Sequence, residues 1–419
     1  MAVVADPSSP DVRRPRVVLG VGAGIAAYKV CDLLRRLTES GHDVHVVPTR
    51  DALRFVGSAT WEALSGHRVD SGVFDDVAAV QHVRLGQQAD VVVVAPATAD
   101  LLARAAHGLA DDLLTATLLT ARCPVVFVPS MHTEMWEHPA TRDNVSTLRR
   151  RGAIVLEPAQ GRLTGADTGK GRLPEPAEVF QLLRMVLRRG VDSAAADLTG
   201  SQVLISAGGT REYLDPVRFL GNRSSGRQGF ALASTAVARG AVVTVVAANV
   251  SLRAPAGADV VQVETTDELR EQMLGAAVDA DVVVMAAAPA DFRPTVSTTA
   301  KLKKPTDGSA PRLELTQNPD ILAELVVSRS GKSPLIVGFA AETGDDEHSV
   351  VDYARDKLAR KGCDYLVVND VTAGRVFGDP LNEALILGSD GSATPVPLGP
   401  KEDLADALWD LVAMRLASL

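Results

Sequence analysis

Runs of apolar, β-branched residues alternate along the chain with segments in which apolar residues recur at helical spacing. In the first half, four apolar residues at i, i+3, i+4 and i+7 predict a helix with one buried face that ends at Gly41. These residues are Val30, Leu33, Leu34 and Leu37. The predicted strands of this half are 16–21, 43–47, 90–95 and 124–128. A strand, a helix and a strand in succession are typical of a β-α-β unit with parallel strands.

The second half repeats this pattern with continuous apolar runs, which suit strands buried on both faces of a sheet. Its predicted strands are 202–206, 242–247, 281–287, 335–339 and 364–368, and a helix is predicted over 401–416. The two halves also echo each other, since ADVVVVA at 89–95 resembles ADVVVMA at 280–286. The sequence therefore predicts an α/β protein of two doubly wound, Rossmann-like domains with mainly parallel sheets.

Length and local composition place the domain boundaries. At roughly 150 residues per domain, 419 residues suggest two domains rather than one. Residues 1–15 carry several prolines and no apolar core of a secretion signal, so a disordered leader on a cytoplasmic protein is expected. An alanine- and aspartate-rich stretch over 191–200 predicts a linker between a first domain over 16–190 and a second over 201–419.

Charge and aromatic content argue against two classes of partner. The 43 Lys and Arg stand against 52 Asp and Glu, and aromatic residues make up 4%, so no nucleic-acid surface is expected. The longest apolar stretch, 91–99, is far shorter than the roughly 20 residues that span a bilayer, so no membrane segment is expected. The three cysteines lie far apart, without a Cys-x-x-Cys pair for a metal or redox site.

A glycine-rich turn, Gly20-Val-Gly22-Ala-Gly24, follows the first strand. Glycines at a strand-to-helix turn let backbone N–H groups approach a phosphate, although the same pattern also occurs where a turn only packs a helix on a sheet. The second strand is followed by Thr49 rather than by the acid that binds the ribose of a dinucleotide. A hydroxyl suits a phosphate, so the pattern favours a mononucleotide such as FMN over NAD.

Two histidines are candidates for proton transfer. His82 precedes the 90–95 strand and His132 follows the 124–128 strand. The small residues of 96–100 lie at the carboxyl edge of the sheet and leave room there for a flat ring. An imidazole titrates near neutral pH, so either histidine is a candidate proton acceptor, with a surface or core role as the plainer interpretation of each.

Basic residues cluster in the second half. Four arginines and two serines lie within 211–227, ahead of a helix that Ser224 or Ser225 is expected to cap, and an anion site is expected there. The alternative is a solvated basic loop. The same alternative applies to the lysine run over 301–304.

A second group of charges points to a nucleotide phosphate. Lys357 and Lys361 stand at i, i+4 on a predicted helix, where like charges repel, and an anionic ligand between them would relieve the repulsion. Asp291 comes just past the 281–287 strand, where it is placed to hold Mg²⁺ or to bind a ribose.

The first half resembles the flavin-containing cysteine decarboxylases, which form homo-oligomers. The resemblance covers about residues 16–185 and rests on GAGIAAYK at 22–29, QHVRLG at 81–86, APATAD at 95–100 and PSM at 129–131. It implies a flavoprotein fold in which FMN oxidises the cysteine end of the substrate, the thioaldehyde loses carbon dioxide and the dihydroflavin reduces the enethiol. The implied FMN-binding residues are Gly22, Gly24, Ile25, Thr49, Pro96 and Thr98.

The same resemblance implies three catalytic residues. His82 matches the catalytic histidine of the family. His132 stands where the family usually has an asparagine that orients the substrate carboxylate, and it can donate the same hydrogen bond. Thr164 aligns with the usual flap cysteine, whose thiol protonates the enethiol. Because an aliphatic hydroxyl is a far weaker acid than a thiol, the proton source of the last step stays open.

The second half resembles the phosphopantothenate-cysteine ligases from about Thr199 onward. The motifs are AGGTR at 207–211, DPVR at 215–218, NRSSG at 222–226, DF at 291–292, KLKK at 301–304, NPDI at 318–321, GFAAET at 338–343 and VND at 368–370. The implied CTP site consists of Met285, Ala286, Ala287, Asp291, Lys301, Pro319, Asp320, Ile321, Leu322, Phe339, Lys357 and Lys361. Arg218 and Asn222 are implied to hold phosphopantothenate and its acyl cytidylate, and Asp291 to bind Mg²⁺.

The order of the two resemblances matches the bifunctional bacterial enzymes of coenzyme A biosynthesis. It implies one chain that ligates 4′-phosphopantothenate to cysteine with CTP and then decarboxylates 4′-phosphopantothenoylcysteine to 4′-phosphopantetheine with FMN. The same families suggest trimers of decarboxylase domains, dimers of ligase domains and a dodecamer overall. Two alternatives remain: a pair of nicotinamide-dependent domains, and a flavin-binding scaffold that has lost its chemistry.

Overall fold

The computed structural model describes residues 13–69, 80–163, 167–190, 196–303, 312–342, 349–370 and 381–418. The chain divides into two compact units, Met1–Ala195 and Ala196–Leu419. Each unit contains a sheet whose strands are all or mostly parallel, which confirms the predicted α/β fold class. No helix in these ranges is long and apolar enough to cross a membrane.

The first unit is built from short strands and the helices between them. Its strands are β1 (Arg16–Val21), β2 (Asp43–Pro48), β3 (Val91–Ala97), β4 (Val125–Pro129), β5 (Ile154–Val155), β6 (Ala159–Arg162) and β7 (Thr168–Arg172). Its helices are α1 (Ala27–Glu39), α2 (Ser58–Ser65), α3 (Gln81–Gln88), α4 (Ala99–His107), α5 (Leu113–Thr120), α6 (Thr133–Glu137), α7 (Pro139–Arg150) and α8 (Pro176–Arg189).

Five of these strands form one parallel sheet in the order β2-β1-β3-β4-β5. The chain moves from β1 to β2 on one side and later returns to β3 on the other, so the strand order reverses between β1 and β3. All seven residues of β3 are buried, which is why its sequence is a continuous apolar run. α1 buries the predicted face, Val30, Leu33, Leu34 and Leu37. β6 and β7 form a separate antiparallel hairpin.

The second unit is larger and has one long sheet with several short hairpins. Its strands are β8 (Gln202–Gly208), β9 (Arg211–Tyr213), β10 (Phe219–Gly221), β11 (Val242–Ala248), β12 (Ala258–Val263), β13 (Val282–Met285), β14 (Phe292–Pro294), β15 (Leu315–Gln317), β16 (Leu335–Glu342), β17 (Tyr365–Asp370), β18 (Leu381–Gly388) and β19 (Ala393–Pro400). Its helices are α9 (Arg227–Ala238), α10 (Thr266–Ala276), α11 (Ile321–Ser328), α12 (Val350–Lys361) and α13 (Lys401–Leu416).

The long sheet has the order β12-β11-β8-β13-β16-β17-β18-β19. Its first six strands are parallel, and β18 and β19 extend it in the antiparallel sense. Val203 and Ile205 pack in one core and Leu204 in another, because successive side chains of β8 point to opposite faces. The order of the parallel strands again reverses, here between β8 and β13.

The structure differs from the sequence prediction at the predicted linker, 191–200, and at the predicted leader, 1–15. Leu198, placed in the predicted linker, is fully buried in a core of the second unit. Residues 13–15, placed in the predicted leader, lie against the first sheet, where the Pro15 carbonyl accepts a hydrogen bond from the Asp43 amide at 3.0 Å. Residues 1–12 and 191–195 are outside the described ranges.

Candidate active sites

The glycine turn after β1 lies where the strand order of the first sheet reverses. The Gly22 N–H donates to the Pro96 carbonyl across 3.1 Å, which joins this turn to the end of β3. A Cβ on Gly22 would lie 2.4 Å from that carbonyl, so the close approach requires glycine. Open α/β sheets bind ligands at such a reversal, and flavodoxin-like sheets of this strand order hold FMN between β1 and β3.

The other residues implied for FMN lie on the loops at the same edge. Gly24 and Ile25 continue the turn after β1, and Ile25 is 66% exposed. Thr49 follows β2, and its hydroxyl accepts a hydrogen bond from the Ala52 N–H at 3.3 Å. Thr98 caps α4 by accepting from a backbone N–H at 3.2 Å. Both hydroxyl groups keep their own proton for donation, so each can bind a phosphate oxygen.

His82 lies in the first turn of α3 and is half-buried. α3 ends at Gln88 and the chain enters β3 at Val91, so His82 lies at the end of α3 that is not connected to β3. The Thr120 hydroxyl of α5 donates to the His82 carbonyl at 2.8 Å. Gly86 packs so closely on α5 that a Cβ there would lie 2.2 Å from the same hydroxyl. α5 therefore fixes the helix that carries His82.

His132 is exposed and directly precedes α6. The neighbouring Met131 N–H donates to the Gly171 carbonyl of β7 at 2.9 Å. A Cβ on Gly171 would lie 2.2 Å from the Met131 carbonyl oxygen. The β6–β7 hairpin, which is the flap implied by the sequence, is thus held against the His132 segment. Thr164 lies between its two strands and outside the described residues.

Three residues that the sequence did not single out form a cluster around the start of β2. Asp43 bonds to His67 Nε2 at 2.7 Å and to His45 Nε2 at 3.3 Å, and it accepts from Arg16 Nε at 3.1 Å. Within the described ranges, Asp43, His45 and His67 are the one group whose ligand atoms lie close enough for a metal ion. However, the two imidazole rings stack, with 4.2 Å between centroids and 20° between planes. Their Nε2 lone pairs therefore do not converge, and the cluster is hydrogen-bonded rather than arranged for a metal.

The surroundings of this cluster lower the pKa values of both His45 and Asp43. Burial lowers the pKa of His45, and the adjacent His67 lowers it further. Burial raises the pKa of Asp43, but hydrogen bonds from His67 and Arg16 outweigh it and hold that pKa below its usual value. An ionised carboxylate and a neutral His45 are therefore favoured at neutral pH.

The loop after β13 lies at the reversal point of the second sheet. Its Ala288 N–H donates to the Gly208 carbonyl at the end of β8, across 2.8 Å. Asn222 Nδ2 donates to the Pro289 carbonyl, also across 2.8 Å. Asp291, two residues farther on, is exposed. The structure thus joins Asn222 to the loop that carries Asp291. The implied CTP residues Met285, Ala286 and Ala287 begin at the end of β13 and lead into this loop.

Arg218 and Lys301, 83 positions apart in sequence, are brought together by their neighbours. Nε and Nη2 of Arg218 donate to Asp215 Oδ2 at 2.9 and 2.6 Å, and Nη2 also donates to the Leu302 carbonyl at 2.7 Å. The Leu302 N–H in turn donates to Asp215 Oδ2 at 3.1 Å. These bonds use three of the five guanidinium N–H groups, which leaves the two of Nη1 for an anion.

Asp215 is the anchor of this arrangement and is 1% exposed. Its burial raises the pKa of the carboxyl group. The Arg218 guanidinium and three backbone N–H groups, those of Val217, Leu302 and Arg218, outweigh this and hold the pKa well below its usual range. Asp215 is therefore ionised at neutral pH, and its bond to Leu302 keeps the segment that carries Lys301 in place.

The implied CTP residues at the start of α11 divide into two kinds. Ile321 and Leu322 are 2% and 9% exposed and pack in the core, so only their backbone N–H groups are available to a ligand. Asp320 accepts from the Ala323 N–H at 3.1 Å as the cap of α11 and forms an ion pair with Lys361. The structure therefore places an acid beside one lysine of the predicted like-charge pair. Pro319, Phe339 and Lys357 are half-buried.

The predicted serine cap of α9 is wrong. The residue that caps α9 is Gly226, in the left-handed conformation with φ +76°, and no side chain caps the helix. Ser224 Oγ accepts from the Gly226 N–H at 3.4 Å instead. A Cβ on Gly226 would lie 2.6 Å from Val250, so both the conformation and the packing require glycine there.

Two family models match the chain. The model described as Flavoprotein covers residues 6–188, and the model described as DNA/pantothenate metabolism flavoprotein C-terminal domain covers residues 198–416. The chain is 58% identical over 407 residues to the coenzyme A biosynthesis bifunctional protein CoaBC of Mycobacterium tuberculosis, covering 96% of this chain and 97% of the relative. It is 40% identical over 403 residues to the protein of the same name from Bacillus subtilis, covering 95% and 97%.

Two solved structures also match parts of the chain. The C-terminal domain of a coenzyme A biosynthesis bifunctional protein CoaBC is 32% identical with a TM-score of 0.45, and the match covers 54% of this chain and 100% of that one. A PPC decarboxylase mutant complexed with pantothenoylaminoethenethiol is 30% identical with a TM-score of 0.39, and the match covers 41% of this chain and 98% of that one.

Proposed function

The chain belongs to the family of bifunctional coenzyme A biosynthesis proteins and combines a flavoprotein decarboxylase domain with a ligase domain, and from this premise we propose its two reactions in detail. The ligase domain joins 4′-phosphopantothenate to cysteine with CTP, through an acyl cytidylate. The decarboxylase domain then converts 4′-phosphopantothenoylcysteine to 4′-phosphopantetheine with FMN and releases carbon dioxide.

One observation carries the ligase proposal. Residues far apart in sequence are joined by direct hydrogen bonds into two groups, Arg218 with the Lys301 segment and Asn222 with the Asp291 loop. The short strand β10 connects Arg218 to Asn222 along the chain. The Asp291 loop lies at the reversal point of the second sheet, where open α/β sheets bind nucleotides.

The ligase chemistry requires neutralisation of negative charge. The carboxylate of phosphopantothenate attacks the α-phosphate of CTP, the bond to the β-phosphate breaks, and pyrophosphate leaves. Arg218 Nη1 and the Asn222 amide would hold the substrate, Lys301 would offset charge that develops on the phosphates, and Asp291 would hold Mg²⁺. The amine of cysteine then attacks the acyl carbon, CMP leaves and the amine proton passes to solvent.

Other residues would complete the CTP site. The backbone N–H groups at the start of α11 suit a phosphate because they have no partner within the helix. The remaining residues of this site are Met285, Ala286, Ala287, Pro319, Asp320, Phe339, Lys357 and Lys361, as the family resemblance implies.

The loops at the reversal point of the first sheet fit FMN. The glycine turn is held at this reversal by its bond to the end of β3, and the Thr49 and Thr98 hydroxyl groups are available to a phosphate. When bound, FMN supplies the two-electron oxidation and reduction of the cysteine moiety. His82 would accept a proton from the substrate, and His132 would donate a hydrogen bond to its carboxylate. Thr164, which is outside the described residues, is the third catalytic residue that the family resemblance implies.

We further propose that the chain forms a cytoplasmic homo-oligomer, with trimers of decarboxylase domains, dimers of ligase domains and a dodecamer overall. Apolar side chains near the flavin loops support an interface in the first unit. Ile25, Tyr28 and Phe55 are 66%, 60% and 49% exposed. A monomer that still decarboxylates, as measured by light scattering and carbon dioxide release, would contradict the interface.

The test is a mass-spectrometric assay of the full chain with phosphopantothenate, cysteine, CTP, Mg²⁺ and FMN. The expected products are CMP, pyrophosphate, carbon dioxide and phosphopantetheine. Ligation, measured as CMP and pyrophosphate, should require CTP, and decarboxylation, measured as carbon dioxide, should require flavin. Bound flavin without carbon dioxide release would support the scaffold alternative. Absorbance of a bound nicotinamide instead of flavin would support the dinucleotide alternative.

His82→Asn separates the two reactions. The variant should keep its flavin and continue ligation, but it should release no carbon dioxide, because the proposed base serves only the first domain. His107→Asn, on the exposed end of α4, is the matched control and should change neither reaction. Normal carbon dioxide release by His82→Asn would remove His82 from the mechanism.

A further inference from the structure

The peptide groups of the Asp291 loop are held from several sides. The Ala290 N–H donates to Thr210 Oγ1 at 2.8 Å, and the Ala290 carbonyl accepts from Asn318 Nδ2 at 2.8 Å. The Asn318 N–H donates to the Asp291 carbonyl at 2.9 Å. Both backbone polar groups of Ala290 and the Asp291 carbonyl are therefore used, although Asp291 itself is exposed.

A chain of buried polar groups stands behind these anchors. Thr266 Oγ1 lies 2.7 Å from Glu212 Oε1 and 2.8 Å from Thr210 Oγ1, and the Thr266 N–H donates to the same carboxylate at 3.0 Å. Glu212, Thr266, Thr210 and Asn318 are 5%, 0%, 1% and 7% exposed. Such a network is costly to bury unless every member is satisfied, and here each of the four makes at least two hydrogen bonds.

The chemistry of the groups sets the direction of the hydrogen bonds. A carboxylate only accepts, so the Thr266 hydroxyl donates to Glu212. Thr266 Oγ1 then accepts from the Thr210 hydroxyl, and Thr210 Oγ1 accepts from the Ala290 N–H. The bonds therefore run in one sense from the loop to the carboxylate, and each polarises the next.

Asn318 ties the other side of the loop to a neighbouring element. Its Oδ1 accepts from Arg293 Nη1 at 3.0 Å, and Arg293 Nη1 is also 2.9 Å from an oxygen of Asp267 on α10. The amide orientation is thereby fixed, since Nδ2 must face the Ala290 carbonyl.

We propose that Thr210 and Asn318 are positioning residues of the ligase reaction. They act through the Ala290 peptide groups, with Thr266 and Glu212 behind Thr210, and they hold the Asp291 carboxylate where a magnesium nucleotide can meet it. This inference rests on the proposed function for its catalytic part. The anchoring itself does not depend on that function.

The test compares Thr210→Val and Thr210→Ser in the full chain. Valine keeps the shape but removes the acceptor of the Ala290 N–H, whereas serine keeps the hydroxyl. Hydrogen exchange of the 286–292 segment should be faster in Thr210→Val and unchanged in Thr210→Ser. The Mg²⁺ concentration that gives half-maximal CMP formation should rise on the order of 10-fold to 100-fold in Thr210→Val, the range typical of losing a group that orients a metal ligand.

Thr235→Val is the matched control, because Thr235 is 5% exposed on α9 and outside the network. It should change neither hydrogen exchange of the 286–292 segment nor the Mg²⁺ dependence of CMP formation. The thermal unfolding midpoint of this variant shows how much the loss of a buried hydroxyl group alone lowers stability. Equal loop exchange in Thr210→Val and the unmodified chain would overturn the anchoring. Faster exchange with unchanged Mg²⁺ dependence would overturn the positioning role. Absence of CMP formation in the unmodified chain would overturn the proposed function, and the catalytic part of this proposal with it.

Discussion

Lys301 is placed by the backbone of the residue that follows it. The Leu302 N–H and carbonyl both bond to the Asp215–Arg218 pair, which places the backbone of Lys301 near Arg218. The side chain of Lys301 is exposed. An exposed ammonium on a fixed backbone can move toward a triphosphate without rearrangement of the fold.

Replacing Lys301 by Gln should therefore lower CTP-dependent acyl cytidylate formation by on the order of 100-fold, because the charge that offsets the phosphates in the transition state is lost. Lys303→Gln, an exposed lysine two positions farther along, is the control and should ligate normally. CMP release in single-turnover reactions measures the effect. Normal ligation by Lys301→Gln would reduce the 301–304 run to a solvated loop.

The histidines near the start of β2 make the first unit sensitive to pH. Burial lowers the pKa of both His42 and His45 below 6.5, so the folded state resists protonation more than the unfolded state does. The stability that these neutral histidines contribute is fully present above pH 6.5. It is lost as the pH falls from there through the pKa values that they have in the folded state.

The free energy of unfolding of the first unit should thus fall between pH 7.5 and 5.5, and His45→Gln should make this fall smaller. Urea denaturation at each pH, monitored by the release of bound flavin, measures this free energy. His107→Gln is the control, since His107 is exposed and outside the cluster. The same pH dependence in all three proteins would contradict the assignment.

At the residue scale, the sequence suggested candidate residues but not the contacts that hold them. Thr49 and Asp291 were placed by the strands that precede them, because ligands bind at the carboxyl edge of a parallel sheet. The link from Leu302 to Asp215 spans 87 positions and has no local pattern. Thr210 and Asn318 lie inside motifs of the sequence, yet nothing local indicates that both hold Ala290.

At the element scale, agreement was best where burial dictates composition. β1 and α13 have the predicted bounds, Arg16–Val21 and Lys401–Leu416. The short hairpins β9–β10 and β14–β15 were missed, because their strands have three residues each and β15 is exposed throughout, which leaves no periodicity to detect. The α9 cap was missed because serine is the commoner cap and the left-handed Gly226 takes its place.

The β6–β7 hairpin offers a test of the flap. Gly171→Ala would place a Cβ against the Met131 carbonyl, so the hairpin should move away from the His132 segment. Decarboxylation of supplied phosphopantothenoylcysteine should fall by on the order of 10-fold to 100-fold, because small displacements of substrate-positioning groups have effects of that size. Carbon dioxide release measures it.

Gly57→Ala is the control for this substitution. Gly57 has φ −70°, and a Cβ there meets nothing within 4 Å. It should leave the rate unchanged. Full decarboxylation by Gly171→Ala would show that contact between the hairpin and Met131 is not needed for the reaction.

At the scale of the whole molecule, the two units share the same sheet architecture. Each has a largely parallel sheet whose strand order reverses beside its first strand, and each places some candidate residues, Gly22 in the first unit and Asp291 in the second, on the loops at that reversal. The similar runs at 89–95 and 280–286 are the central strands next to those reversals, which is why their sequences are alike. Two compact units with separate cores are expected to lose stability independently when one core is damaged.

Arg239 provides that test, because it is 3% exposed and joins the end of α9 to two other parts of the second unit. Its guanidinium donates to Asp197 in the 196–200 segment and to Asp406 on α13, and it lies 3.0 Å from Asp410 on the same helix. Arg239→Met keeps the length of the side chain but removes the buried guanidinium beside Asp406, and breaking a buried ion pair in this way should cost about 3–5 kcal/mol. Native-state hydrogen exchange of β8 and β11 should report that loss, while exchange of β1 and β3, flavin binding and decarboxylation stay unchanged. Arg270→Met is the control, since its half-exposed pair with Glu324 is worth about 0–1 kcal/mol. Equal effects of the two substitutions would mean that Arg239 does not hold the second unit together, and faster exchange of β1 would mean that the two units do not unfold separately.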